Sequence, residues 1–389
     1  SRGLGLYLEL NSYSFEGCVT TFILDGAPHT ASDQFPETTV LEYLRETLHR
    51  TGTKEGCASG DCGACTVVLA EETKEQELRY RSINACITLL GTIHGKQLLT
   101  IENLACDGHL HICQQAMVDE HGSQCGFCTP GIVMSLFAHS KSGADKGRNA
   151  LLHSLSGNLC RCTGYKPILS AGSVVNMQTE GDRFDSLKSE TLEKLRTIQP
   201  FEHEIGRDGR CFRIYNEVAE VATALEMHRQ ARLVAGSTDY SLEVTQGLAE
   251  PESLVFVGKV KEMTACGAEN GGIRIGAATT LRDAAPLLLK HWPSLEELLL
   301  RFGSPQIRNQ ATIGGNVANA SPVGDTPPVL LALNATLELR KGASTRTLPI
   351  EEFFQTYKKT ALNGGEFIVS IFIPVNDRKS TVRAYKVTK

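Results

Sequence analysis

The chain has 389 residues, 41% of them hydrophobic, and a formal net charge of -5. At roughly 150 residues per domain, this length predicts about two or three domains of an ordinary soluble protein. The slight acidic balance, with no Lys/Arg run, argues against nucleic acid or an anionic membrane as partner and leaves small molecules and proteins.

Leu4 to Leu10 is apolar but short, is interrupted by Glu9 and has only Arg2 before it. No later segment reaches about 18 uncharged apolar residues, so neither a secretory signal nor a membrane span is expected. The start without Met reads as a processed end or an expression remnant, and residues 1–17 carry little weight. Residues 19–24 (VTTFIL) are β-branched and aromatic, and Asp25-Gly26 follows, which predicts a tight hairpin. Thr39 and Glu42 form a capping-box pair, with Val40, Leu41, Leu44 and Leu48 on one face of a helix that ends near Gly52. A Gly-rich cysteine loop and a strand from Thr66 to Ala70 come next. From about Ile101 to Val175 the pattern becomes helical, as in Gly131 to His139, where Ile132, Val133, Leu136 and Phe137 share a face. Gln178 to Arg210 is polar and charged and reads as a linker with one short helix. Beyond Arg213 the chain reads as mixed α/β, with a helix near Val218 to Gln230 and strands at Leu233–Ala235 and Ile273–Ala277. The final RAYKVTK is strand-like.

Thirteen cysteines without an export signal predict reduced cytoplasmic thiols, grouped for metal binding. Eight fall into two groups, while Cys18, Cys106, Cys113, Cys211 and Cys266 are scattered and read as buried packing residues. The first group, Cys57-x4-Cys62-x2-Cys65 with Cys86 further on, has the spacing by which plant-type ferredoxins hold a [2Fe-2S] cluster. Gly56, Gly60 and Gly63 are interleaved there, and glycine permits backbone conformations that aim N–H groups at the sulfurs. Structural zinc and unligated thiols are the alternatives, although zinc favours two separated Cys-x2-Cys pairs. The second group is Cys125-x2-Cys128 with Cys160-x-Cys162. Thr129-Pro130 is suited to opening a helix whose first N–H groups face the thiolates, with Thr available to cap. Spacing alone leaves zinc a competitor at this second group.

The words around these cysteines, QCGFCTPG at Gln124 to Gly131 and GNLCRCTGY at Gly157 to Tyr165, closely resemble the xanthine dehydrogenase and aldehyde oxidase family of molybdenum hydroxylases. The resemblance covers residues 19–389 and implies that all eight cysteines are cluster ligands. It implies a multi-domain α+β chain. The expected parts are a β-grasp plant-type ferredoxin domain at 18–95, a helical [2Fe-2S] domain at 96–177, a linker at 178–207 and a vanillyl-alcohol-oxidase-type (PCMH) FAD-binding domain at 208–376. Residues 377–389 then begin an incomplete C-terminal flavoprotein domain.

LVAGSTDY at Leu233 to Tyr240 and ATIGGNVANASPVGD at Ala311 to Asp325 are Gly-bearing loops rich in hydroxyl, amide and main-chain donors, which suits a pyrophosphate; ordinary turns are the alternative. Neither is a GxGxxG fingerprint, so no Rossmann fold is indicated. The resemblance implies that Val234, Ala235, Gly236, Ser237, Thr238, Asp239, Thr312, Gly315, Asn316 and Asp325 surround FAD. It also implies that Phe302 stacks on the flavin, where a core Phe is the alternative, and that Ile368 and Lys386 are further flavin contacts. Nothing resembles a molybdopterin domain. The expectation is an electron-transfer small subunit of the bacterial xanthine dehydrogenase kind, with no substrate-hydroxylating residue of its own. It would pair with a molybdopterin-binding large subunit in an α2β2 assembly and use NAD as acceptor. An aldehyde or other N-heterocycle hydroxylase, a stand-alone FAD/iron-sulfur reductase and a zinc-stabilised interaction module are the competing readings.

Overall fold

The computed structural model describes residues 19–143, 145–198, 203–375 and 382–387. Residues 1–17 and Cys18 lie outside the described residues.

The VTTFIL run forms β1 (Val19–Leu24), which pairs antiparallel with β2 (Ala27–Ser32) across a turn that holds Asp25 at φ 53° and Gly26 at φ 75°. With β3 (Thr66–Glu72), β4 (Leu78–Asn84) and β5 (Gln97–Leu99) they build one sheet of order β2-β1-β5-β3-β4. β1 runs parallel to β5 and the other pairs are antiparallel, so this is the expected β-grasp. Strand alternation sends Phe22, Leu24, Val67 and Leu69 to a core with Val40, Leu44 and Ile87. Ile23, Val68 and Ala70 face the other way, into a core shared with the helical region. Thr39 accepts the Glu42 N–H at 3.1 Å as the capping pattern predicts. The helical turns stop at Thr47, short of Gly52, and His49 then takes φ 54°.

Helices Ile112–Asp119, Thr129–Lys141, Arg148–Leu155 and Lys166–Met177 form the second region, with Ile132, Val133, Leu136 and Phe137 buried as their spacing predicts. Thr129 does not cap its helix. Cys128 holds the cap position, and the Thr129 hydroxyl pairs with that of Ser123 at 2.7 Å. The polar stretch read as a linker contains two helices, Arg183–Ser186 and Lys188–Thr197, and their Phe184, Leu192 and Leu195 join the core of Val68 and Phe137.

The third region has two sheets. β6 (His203–Arg207), β7 (Arg210–Ile214), β8 (Arg232–Val234) and β9 (Ser253–Phe256) are ordered β6-β7-β9-β8, with β7 and β8 parallel to β9. The second sheet is antiparallel and includes β10 (Cys266–Glu269), β11 (Gly272–Gly276), β12 (Thr336–Lys341) and β13 (Ser344–Pro349). β14 (Phe354–Thr356) and β15 (Lys359–Thr360) make a small ribbon, and β16 (Phe367–Pro374) runs between β11 and β12. Residues 382–387 form no strand, contrary to expectation. Cys113 and Cys211 are buried as expected, but Cys106 is half-buried and Cys266 is exposed on the edge strand β10. Among the described residues, no helix is long and apolar enough to cross a membrane.

Candidate functional site

The first cysteine loop runs from the end of the opening helical turns to β3. Cys65 and Cys86 are buried, Cys57 and Cys62 half-buried. Gly60 (φ 79°) and Gly63 (φ 72°) take the left-handed backbone that glycine favours. Gly56 has a different reason: a Cβ there would stand 2.7 Å from Cys62 Sγ. The bent loop turns the N–H groups of Ser59, Asp61 and Cys62 onto Cys57 Sγ at 3.4, 3.3 and 3.4 Å. Burial opposes ionisation of Cys57, but the Ser59 hydroxyl and these N–H groups outweigh it and bring the thiol down to about 7. Cys65 Sγ lies 3.3 Å from Cys86 Sγ. That hydrogen bond, and burial after it, push the Cys86 thiol far above its usual range. Both thiols could ionise at this distance only with a cation beside them, as when they bind iron.

The second group joins the loop before helix Thr129–Lys141 to the loop before Lys166–Met177. Cys125 hydrogen-bonds Cys162, and both are exposed. Cys128 hydrogen-bonds Cys160 deeper in. Burial and Cys160 push Cys128 up to about 12. Cys160 is lowered: burial opposes this, but the Thr163 hydroxyl, 3.2 Å away, and nearby N–H groups prevail. Tyr165, at φ 67°, accepts the Cys160 N–H at 2.9 Å. The eight thiols thus meet as Cys57/Cys62, Cys65/Cys86, Cys125/Cys162 and Cys128/Cys160. Among the described residues, no three His, Cys, Asp or Glu side chains are arranged to hold a single metal ion. Two pairs of thiols per site are what the two irons of a [2Fe-2S] cluster would take, one pair to each iron.

The two flavin loops touch. A Cβ on Gly236 would stand 1.9 Å from the Gln310 carbonyl oxygen, and one on Gly314 would stand 2.5 Å from that of Ala277. Val234 ends β8 and Ala235 follows it; Thr238 is half-buried and Asp239 exposed. Thr312 accepts the Gly315 N–H at 3.0 Å, and Asn316 accepts the Thr326 N–H and hydroxyl at 3.2 and 2.5 Å. Asp325 and Lys386, far apart in sequence, form an ion pair at 2.6 Å. Phe302 is half-buried against the core, and Ile368 is buried within β16. Ser237 (φ 54°) turns its hydroxyl to the Ile87 carbonyl at 3.2 Å, beside Cys86, and so away from its own loop. The close-packed backbones and remaining donors suit a dinucleotide phosphate.

Several residues that the sequence reading passed over hold these loops together. Leu159 N–H donates to the Cys62 carbonyl at 2.9 Å, and Asn158 donates to that of Gly63 at 3.0 Å. Ser241 donates to Ile87 at 2.9 Å and Thr245 to Ala58 at 2.7 Å. Leu89 enters a small core with Phe212, Val234 and Phe256.

Three families match in chain order: a 2Fe-2S iron-sulfur cluster binding domain at 22–91, a [2Fe-2S] binding domain at 100–173, and an FAD binding domain in molybdopterin dehydrogenase at 211–376. Xanthine dehydrogenase of Emericella nidulans is 32% identical over 95% of this chain and 31% of its own length. Xanthine dehydrogenase/oxidase of Mus musculus is 31% identical over 94% of this chain and 31% of its own length. The chain therefore spans about a third of the length of the curated relatives it matches. A solved Cu,Mo-CO dehydrogenase structure aligns at 30% identity and TM-score 0.41, over 42% of this chain and 59% of that one. With two [2Fe-2S] domains and an FAD-binding domain in this order, the chain belongs to the molybdenum hydroxylase family.

Proposed function

We propose that this chain is the electron-transfer part of a xanthine dehydrogenase, taking electrons from a molybdenum-pterin centre on a partner chain and delivering them to NAD. The observation that carries this reading is that both other regions dock on the first cysteine loop. Leu159, next to Cys160, donates to the Cys62 carbonyl from one side, and Thr245, on the helix after the flavin loop, donates to Ala58 from the other. Bound clusters supply one-electron carriage, and bound FAD supplies the conversion between one-electron and two-electron steps. The residues provide order and shielding. Cys125 and Cys162 stand at the surface, where a partner would approach, while Cys65 and Cys86 are buried between the second cysteine group and the 234–239 loop.

The ligand set is all eight paired cysteines. The FAD set is Val234, Ala235, Gly236, Ser237, Thr238, Asp239, Phe302, Thr312, Gly315, Asn316, Asp325, Ile368 and Lys386, with Ser237 contributing backbone because its hydroxyl is engaged by Ile87. We place the working parts at 18–95, 96–177 and 208–376, in a cytoplasmic α2β2 assembly with a molybdopterin-binding subunit, as in bacterial-type enzymes. The two quoted relatives are xanthine dehydrogenases, which favours xanthine over an aldehyde or another heterocycle. The test is xanthine-dependent NAD reduction by the complex that co-purifies with this chain from its native cell. Reduction supports both partner and substrate. A molybdenum-containing complex that leaves xanthine untouched but oxidises an aldehyde overturns the substrate.

A further inference from the structure

Gln306 belongs to the flavin-binding region yet is fully buried between the other two. Ser304 accepts the Ile307 N–H at 3.2 Å and caps the short helix Pro305–Arg308 that presents it. The Gln306 amide nitrogen lies 3.2 Å from Thr66 Oγ1 in β3, 3.2 Å from Ser135 Oγ in helix Thr129–Lys141, and 3.0 Å from Asn158 Oδ1 in the second cysteine loop. Ser135 donates to Asn158 Oδ1 at 2.6 Å, and Asn158 Nδ2 reaches Thr66 Oγ1 at 3.1 Å as well as Gly63. All of these side chains are buried. One amide therefore joins three regions of the chain at the point where the two cysteine loops meet. Gly157 makes room for it, since a Cβ there would stand 2.1 Å from Gln306 Oε1.

The same segment supports the flavin loops. Asn309 donates to the Ser82 carbonyl and Gln310 to Thr88 Oγ1, both at 2.8 Å, and the Gln310 carbonyl is the atom against which Gly236 packs. Phe302 stands at its start. For stability alone, an apolar residue would serve this junction as well, because Gln306 Oε1 is buried without a partner, and an unmet acceptor costs more than a filled apolar contact. What the amide adds is direction: its donors are met in only one relative placement of the three regions.

We infer that Gln306 is a positioning residue for electron transfer: it holds the flavin-binding region in one register against both cysteine loops and so sets how fast electrons cross to the flavin. The inference rests on the electron-transfer reading above. The test uses the full chain with its clusters and FAD, comparing wild type with Gln306→Met, which keeps length and removes the donors, and with Ser135→Ala, which removes one partner. The readouts are the rate of flavin bleaching after pulsed cluster reduction and the magnetic coupling between the reduced clusters by EPR. A wild-type flavin that is never reduced through the clusters sinks the electron-transfer reading itself, whatever the variants do. Given transfer in wild type, Gln306→Met is expected to keep both cluster signals, slow bleaching about tenfold or more and alter the coupling. Ser135→Ala should shift both readouts the same way by less. A Gln306→Met chain that only melts earlier, with rate and coupling unchanged, overturns the inference. If that variant does not fold, Ser135→Ala decides: slowed bleaching with intact cluster signals supports positioning, and an unchanged rate and coupling refutes it.

Discussion

Gly63 and Gly26 share almost the same backbone, φ 72° and 75°, in opposite surroundings. A Cβ on Gly26 would meet nothing within 4 Å, whereas one on Gly63 would stand 2.1 Å from the Gly157 carbonyl oxygen. Gly26→Ala should therefore cost only the left-handed strain, about 1 kcal/mol, and leave the cluster spectra alone. Gly63→Ala adds a backbone clash, for about 3 kcal/mol in all, and should perturb both cluster signals because the two cysteine loops separate. Denaturant midpoints and EPR on the pair check this; equal costs would mean that the loop contact yields easily. Cys62→Ser should remove one of the two [2Fe-2S] EPR signals and spare the other, and survival of both would refute Cys62 as a ligand.

At the scale of elements, the polar stretch 178–207 is the instructive one. Its charges hid a narrow apolar stripe, Phe184, Leu192 and Leu195, and one capping residue. Asp182 accepts the Phe184 N–H at 2.9 Å and pairs with His111 at 2.8 Å and Lys141 at 2.5 Å. Burial opposes ionisation of Asp182, but the hydrogen bonds from His111 and Lys141 prevail and hold its carboxyl well below the usual range. A carboxyl depressed in the folded state stabilises fully above its unfolded value, near pH 4, and loses that contribution as pH falls toward the folded value. Asp182→Asn should therefore cost about 2 kcal/mol at pH 7, with the gap to wild type closing as pH drops below about 4. A gap of equal size at pH 3 and pH 7 in urea titrations would show that the carboxylate charge is not what stabilises. The hairpin, the strand at Thr66 and the helix stripe at Ile132 were legible because each rests on neighbours in sequence. By contrast β4, β5 and the β1/β5 pairing that closes the β-grasp, which joins residues more than 70 apart, were reached only through the family resemblance. The thiols Cys57, Cys62 and Cys65, and likewise Cys125 and Cys128, could be read from their local spacing. That Cys86 and Cys160/Cys162 join them rested on the ferredoxin pattern and the words around the cysteines, because those partners lie 21 residues or more away and only folding brings them close. Asn158 and Gln306 were not legible, since an amide announces nothing until its partner is known, and Thr66 is 240 residues from Gln306.

Across the whole molecule, the regions are not beads on a string. The back of the β-grasp sheet and the helices share one core, and Leu89 is inserted among Phe212, Val234 and Phe256 of the third region. Ser241 and Thr245 hang on the carbonyls of Ile87 and Ala58, which adjoin Cys86 and Cys57 of the proposed ligand set. Removing iron should loosen those carbonyls, so a chelated chain is expected to release FAD at a lower temperature than the intact one, followed by flavin fluorescence on heating. Release at the same temperature would mean that the third region holds its flavin without help. The backbone-to-backbone contact of Gly63 with Gly157 leaves no side chain between the first two regions to absorb a change of length, and that of Gly236 with Gln310 does the same between the two flavin loops. Even a one-residue insertion beside these contacts would have to be absorbed by the backbone itself, so the loops should tolerate a change of side chain far better than a change of length.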